Sequence, residues 1–159
     1  MISMPESIVP DTSGGIMELL AISVGGEEFY VPVMQVREIR AWTEPTPLPH
    51  SDPAIAGVIN LRGTVLLIID LSRALAITAT PGDTRPVIVV VETRGRPAGL
   101  LVDRVLDIIA LPAASLEPAP AIPSRSGAPG LAALALHQGR LLRILNLLTL
   151  LPDGSGDVA

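Results

Sequence analysis

The sequence predicts an all-β fold in which two small barrels of about five short strands each pack on one another. Three observations lead there. The 159 residues are 48% hydrophobic, with a mean hydropathy of +0.52, yet hold only three aromatics, Phe29, Tyr30 and Trp42, so the core is built from Val, Ile, Leu and Ala. The apolar runs are strand-length and are punctuated by glycine and proline at turn spacing. The third observation is an internal repeat.

Taken in order, residues 1–15 mix Pro, Ser, Gly and acids without periodicity and read as a solvated tail. Residues 16–24 (IMELLAISV) form a strand, Gly25-Gly26 a tight turn, and residues 28–36 (EFYVPVMQV) the return strand of a hairpin. Residues 44–53 (EPTPLPHSDP) hold four prolines and form a loop. Residues 58–61 and 65–69 are strands about a turn at Arg62-Gly63-Thr64, and 70–75 form a helical turn capped by Asp70 or Ser72. Residues 80–84 break the chain. Residues 87–92 and 98–109 make a second hairpin, 111–129 a long Pro- and Ala-rich connection, and 131–136 with 141–148 a third hairpin and closing apolar turn. The folded unit is expected over 16–152, with a polar tail at 153–159.

A shift of 69 residues lays Leu20 on Val89, Ile22 on Val91, Gly26 on Gly95, Val33 on Val102, Val36 on Val105, Glu38 on Asp107 and Ile39 on Ile108. A shift of 76 then lays Val58 on Leu134, Gly63 on Gly139, Val65 on Leu141, Asp70 on Asn146 and Leu75 on Leu151. Two copies of one unit follow. Each copy is only ~60–70 residues, a size at which one core is marginal, so the halves should bury surface on each other.

Composition excludes many functions. Without Cys there are no thiol nucleophiles, disulfides or thiolate metal sites, and because every basic residue is Arg there is no Schiff-base or P-loop lysine. The two histidines, His50 and His137, read as surface residues and cannot form a three-His metal site. A net charge of -5 argues against nucleic acid as a partner. The apolar runs are far below the ~18 residues of a membrane span, and residues 1–15 lack a signal-peptide pattern. No cofactor, no metal and no membrane insertion are expected, and the cytoplasm is the default location.

Several segments carry a resemblance. Residues 29–33 (FYVPV) with 36–39 (VREI), 57–63 (GVINLRG), 68–71 (IIDL) and 99–105 (GLLVDRV) resemble the CheW family of bacterial chemotaxis coupling proteins, over about residues 17–151. The motif at 57–63, with Asp70-Leu71 seven residues on, is the most specific; Asn146 departs from the Asp common in the second copy of that motif. The resemblance implies two SH3-like barrels on a shared hydrophobic core and a non-enzymatic adaptor. Its partners would be the cytoplasmic tip of a chemoreceptor and the regulatory domain of the histidine kinase CheA. It further implies a receptor-binding surface at Glu38 and Arg62, lined by Val36, Ile39, Val105 and Ile108, and we place a kinase-binding patch near Gly57 and Asn60.

Bottom-up chemistry agrees with part of this. A helical receptor tip needs an apolar groove with a polar rim, and the planar guanidinium of Arg62 suits pairing with a carboxylate, of Glu38 or of the partner. The bland alternatives are a solvated turn for Arg62, an outward strand position for Glu38 and plain core for the four apolar residues. The same adaptor role in another chemosensory-like pathway, such as surface motility or second-messenger control, is the alternative function. A small-molecule enzyme on a β-barrel scaffold is the remote one.

Overall fold

The computed structural model describes residues 15–49, 52–77, 85–118 and 131–151. Eleven strands are seen there: β1 (Ile16–Val24), β2 (Glu27–Pro32), β3 (Val36–Ala41), β4 (Ile55–Leu61), β5 (Thr64–Asp70), β6 (Val87–Thr93), β7 (Arg96–Val102), β8 (Arg104–Pro112), β9 (Leu116–Pro118), β10 (Leu131–His137) and β11 (Arg140–Leu145). Two four-residue helices, α1 (Leu71–Ala74) and α2 (Leu147–Leu150), follow β5 and β11. The expected tails, the breaker at 80–84, His50 and most of the 111–129 connection lie outside the described residues. Among the described residues no helix is long and apolar enough to cross a membrane.

Four hairpins close through two-residue loops in which both residues have positive φ: Gly25-Gly26, Arg62-Gly63, Arg94-Gly95 and Gln138-Gly139. This is the geometry whose twist matches that of the flanking strands, and it explains the glycine second in each pair. At Arg62 (φ 51°) a residue with a Cβ carries the left-handed conformation.

The strands form a six-stranded sheet, β8-β1-β2-β11-β10-β9, and a five-stranded sheet, β3-β6-β7-β5-β4. The two orders correspond strand for strand under the repeat, and the lone bridge Thr46↔Val58 stands where β9 pairs with β10. The expectation of two β subdomains holds, with three corrections. The six-stranded sheet gains β9 from a segment read as loop. The expected strand 28–36 ends at Pro32 in a 3-10 turn (Val33–Gln35), and the expected strand 98–109 is broken at Asp103. These breaks let the chain cross between sheets: β2 lies in one and β3 in the other, as do β7 and β8. Each sheet is therefore completed by the first hairpin of the other half.

Hydrophobic alternation explains the exchange. In β1, Leu20, Ile22 and Val24 face a central core, whereas Leu19 and Ala21 face the interior of the six-stranded sheet. In β6, Val89 and Val91 face the central core, while Ile88 and Val90 face the interior of the five-stranded sheet. Strands buried on both faces read as unbroken apolar runs, and that is how these two are written. The helices seal the central core with Leu71 and Leu147, both wholly buried. Removing such a leucine from water contributes roughly 1.5–3 kcal/mol. Asp70 caps α1 by accepting the Ser72 N–H at 3.0 Å. Its counterpart Asn146 makes no such bond and is buried with Oδ1 unpartnered.

Candidate functional site

The expected site residues sort by strand face. Glu38 lies on β3 and Arg62 at the tip of the β4–β5 hairpin, and the two meet: Arg62 Nη2 donates to Glu38 Oε1 at 2.5 Å. Arg40, on the same face two residues along β3, approaches Glu38 Oε2 at 3.6 Å. The Arg62 hydrogen bond holds the Glu38 carboxyl below the usual carboxylate range, against the opposing effect of burial. Arg62 keeps 70% of its side chain exposed, so its guanidinium retains donors facing solvent. Gly63, its neighbour in the turn, donates its N–H to Asn60 Oδ1 at 2.9 Å, which fixes the tip from below.

The four apolar residues fall on the other face of their strands. Val36 and Ile39 pair with Val91 and Val89, and Val105 and Ile108 pair with Ile22 and Leu20; all four partners belong to the central core. Side chains directly opposite in a ladder share a face, so this set continues the central core outward along the edge strands β3 and β8. Val36 and Val105 pack against it, while Ile39 (48%) and Ile108 (52%) stand exposed at its margin. The structure thus sets Val36 and Ile39 of β3 and Val105 and Ile108 of β8 against residues of the same central core and joins Glu38 to Arg62 on the opposite face of β3.

Gly57 and Asn60 have structural tasks. Gly57 is buried at φ 145°, and a Cβ there would stand 2.3 Å from the Thr46 carbonyl oxygen, so the glycine admits the Pro-rich loop against β4. Asn60 is exposed and braces the Arg62 turn. One residue absent from the sequence expectation adjoins the site: Arg40, whose guanidinium approaches Glu38. Period-two reading from Glu38 reaches it.

The repeat provides an internal control. Glu38 corresponds to Asp107 and Arg62 to Gln138, so the second copy has no cation at the turn, and Asp107 instead accepts the N–H of Ile108 at 2.8 Å. Among the described residues no cluster of three or more His, Cys, Asp or Glu side chains is placed to hold a metal ion.

The sequence matches the CheW-like domain family over residues 18–154. It is 42% identical over 151 residues to the "Chemotaxis protein CheW" of Rhizobium meliloti (strain 1021), covering 93% of this chain and 95% of that protein. It is 30% identical over 142 residues to the "Chemotaxis protein CheW" of Bacillus subtilis (strain 168), covering 89% and 91%. The fold is similar to the crystal structure of scaffolding protein TtCheW from Thermoanaerobacter tengcongensis, with a TM-score of 0.78, 26% identity and coverage of 88% of this chain and 95% of that one.

Proposed function

This chain belongs to the CheW family, and from that premise we propose that it is a non-catalytic cytoplasmic adaptor coupling chemoreceptor tips to the regulatory domain of the histidine kinase CheA. The reading is supported by one observation: Val36 and Ile39 on β3 and Val105 and Ile108 on β8, in two different sheets, pair with residues of one central core, with Ile39 and Ile108 exposed at its margin. An amphipathic helical hairpin laid along that margin would cover apolar surface from both subdomains at once and sense their relative placement. Arg62 and Glu38 act from the opposite face of β3. Their pair holds the strand that presents Val36 and Ile39, and the free guanidinium donors of Arg62 are available to a partner carboxylate. The kinase regulatory domain is assigned to the β4–β5 side, near Gly57 and Asn60.

The test is capture of a receptor-tip fragment and, separately, of the kinase regulatory domain by purified wild type and Arg62→Ala. Loss of receptor capture alone, in a variant that melts like wild type, supports the assignment. Failure of folded wild type to capture either partner rejects the adaptor reading.

A further inference from the structure

The edge strand β8 can pair with β1 in two registers. In the structure Ser23 opposes Arg104 and Ile22 opposes Val105, and the register then shifts, so that Ala21 opposes Asp107 and Leu20 opposes Ile108. Leu106 is the extra residue of that bulge and stands 39% exposed. Without the bulge, the ladder continued back from Asp107 would set Leu106 against Ile22 and Val105 against Ser23. A slip of one residue turns side chains to the other face, so Leu106 would replace Val105 beside the central core. Both residues are apolar, and the hydrophobic pattern does not choose between them.

The first copy has no such ambiguity. Its β3 carries the equivalent bulge between Val36 and Glu38, where the extra residue is Arg37. A guanidinium turned onto the core face would be costly to bury, so composition alone fixes that register. The crossing into β3 carries Met34, 77% exposed, at the repeat position that Asp103 fills in the second copy.

Asp103 lies at the crossing from β7 into β8 and is tied twice to the β1 hairpin. Its N–H donates to the Ser23 carbonyl at 2.9 Å, and its Oδ2 accepts the N–H of Gly25, in the turn beyond β1, at 2.8 Å. Two ladder pairs, Ser23↔Arg104 and Ile22↔Val105, lie between this double tie and the bulge. The slipped register would carry Asp103 one residue along β1, about 3.3 Å, and both bonds would be lost.

We propose that Asp103 is a positioning residue for receptor docking, holding β8 in the register that keeps Val105 on the margin of the central core. The docking role rests on the adaptor reading; the choice of register does not.

Full-length Asp103→Ala, Asp103→Asn and Asp103→Ala/Leu106→Arg are compared with wild type by methyl NMR, amide exchange and capture of a receptor-tip fragment and of the kinase regulatory domain. In wild type the Val105 methyls contact Ile22. The alanine variant should replace that contact by one between Leu106 and Ile22, and its Gly25 amide should exchange faster. Its receptor capture should fall about tenfold, the scale of one hydrogen bond to a charged acceptor, with kinase capture unchanged. Asparagine keeps an acceptor oxygen in place and should restore the wild-type pattern. Leu106→Arg in the alanine background should restore it too, because a charge at 106 makes the slip costly without rebuilding the bond. Should Asp103→Ala fail to fold, the double variant and Asp103→Ser, whose hydroxyl is shorter by one bond, carry the comparison. A Val105 contact to Ile22 that survives loss of the Gly25 bond overturns the proposal, as does equal loss of both captures. A changed register with receptor capture intact removes the docking role. If wild type captures neither partner, the adaptor reading fails with that role, and the contacts of Ile22 still show whether Asp103 sets the register.

Discussion

In the six-stranded sheet the interior is lined by Ala21, Ala133 and Ala135 around the ring of Tyr30; in the five-stranded sheet the same repeat positions hold Val90, Gly57 and Ile59 around Gly99. Where one side spends its volume on a single aromatic residue, the other spends it on branched aliphatics and leaves a glycine in the ring's place. The two interiors are alternative fillings of one backbone plan. A duplicated fold conserves the total volume of a layer more strictly than any residue in it, because cores are packed close to crystal density.

Exchanging residues across this correspondence breaks the comparison most severely. Tyr30→Ala empties the larger site, and a loss of about 3–5 kcal/mol is expected in urea unfolding, the range for deleting a buried aromatic. Gly99→Ala is the converse, since its Cβ would stand 2.6 Å from Ile68 Cδ1 and 2.9 Å from Ile88 Cγ2. We expect a cost of ~1–3 kcal/mol from overpacking, and the double variant with Ile68→Val should recover part of it because the clashing methyl is gone. Strict additivity of the two changes would mean that the backbone shifts instead.

The comparison sharpens at the hairpin tips. Arg62→Ala should reduce receptor capture with little change in melting temperature, whereas Gln138→Ala, at the corresponding tip without an ion pair, should leave capture unchanged. Equal losses from both would mean that the two tips serve one surface. The smallest effect is in titration. Tyr30 is the only tyrosine, and burial first, then its hydrogen bond to Glu28, raises its pKa above the ordinary phenol value. Phenolate absorbance should thus appear at higher pH in the folded chain than in urea. Because the folded state keeps the proton longer, stability falls as pH rises from the ordinary tyrosine value toward that of Tyr30. A Glu28→Gln variant should move the transition part of the way back.

Much of this architecture was legible in residue order. The four glycine-bearing turns mark their hairpins, Asp70 marks a cap, and the 69- and 76-residue echoes announce the doubling. What escaped was membership. A repeat states which segments are alike and not which sheet each one joins, and the crossings at residues 33–35 and Asp103 are single irregular steps inside apolar runs. The signal was nevertheless present in β1 and β6, where consecutive apolar residues at Leu19–Ile22 and Ile88–Val91 demand burial on both faces. Of the candidate site, the Glu38–Arg62 pairing was legible and the arrangement about it was not. Glu38 and Arg62 do pair, yet the apolar residues expected beside them on β3 lie across the strand: Ile39 because a period-two element places neighbours in sequence on opposite sides, and Val36 because the bulge between Val36 and Glu38 breaks that period.

The backbone at Arg62 limits what substitution can teach there. Valine, isoleucine or threonine would be rejected by the left-handed turn before any partner is consulted, since branching at Cβ makes positive φ costly. Asparagine accepts that turn and drops the cation, while lysine keeps the cation and drops the planar fork. A tolerance map of this one position would therefore contain two superimposed selections, one by torsion angle and one by recognition, and the Asn and Lys rows are where they come apart.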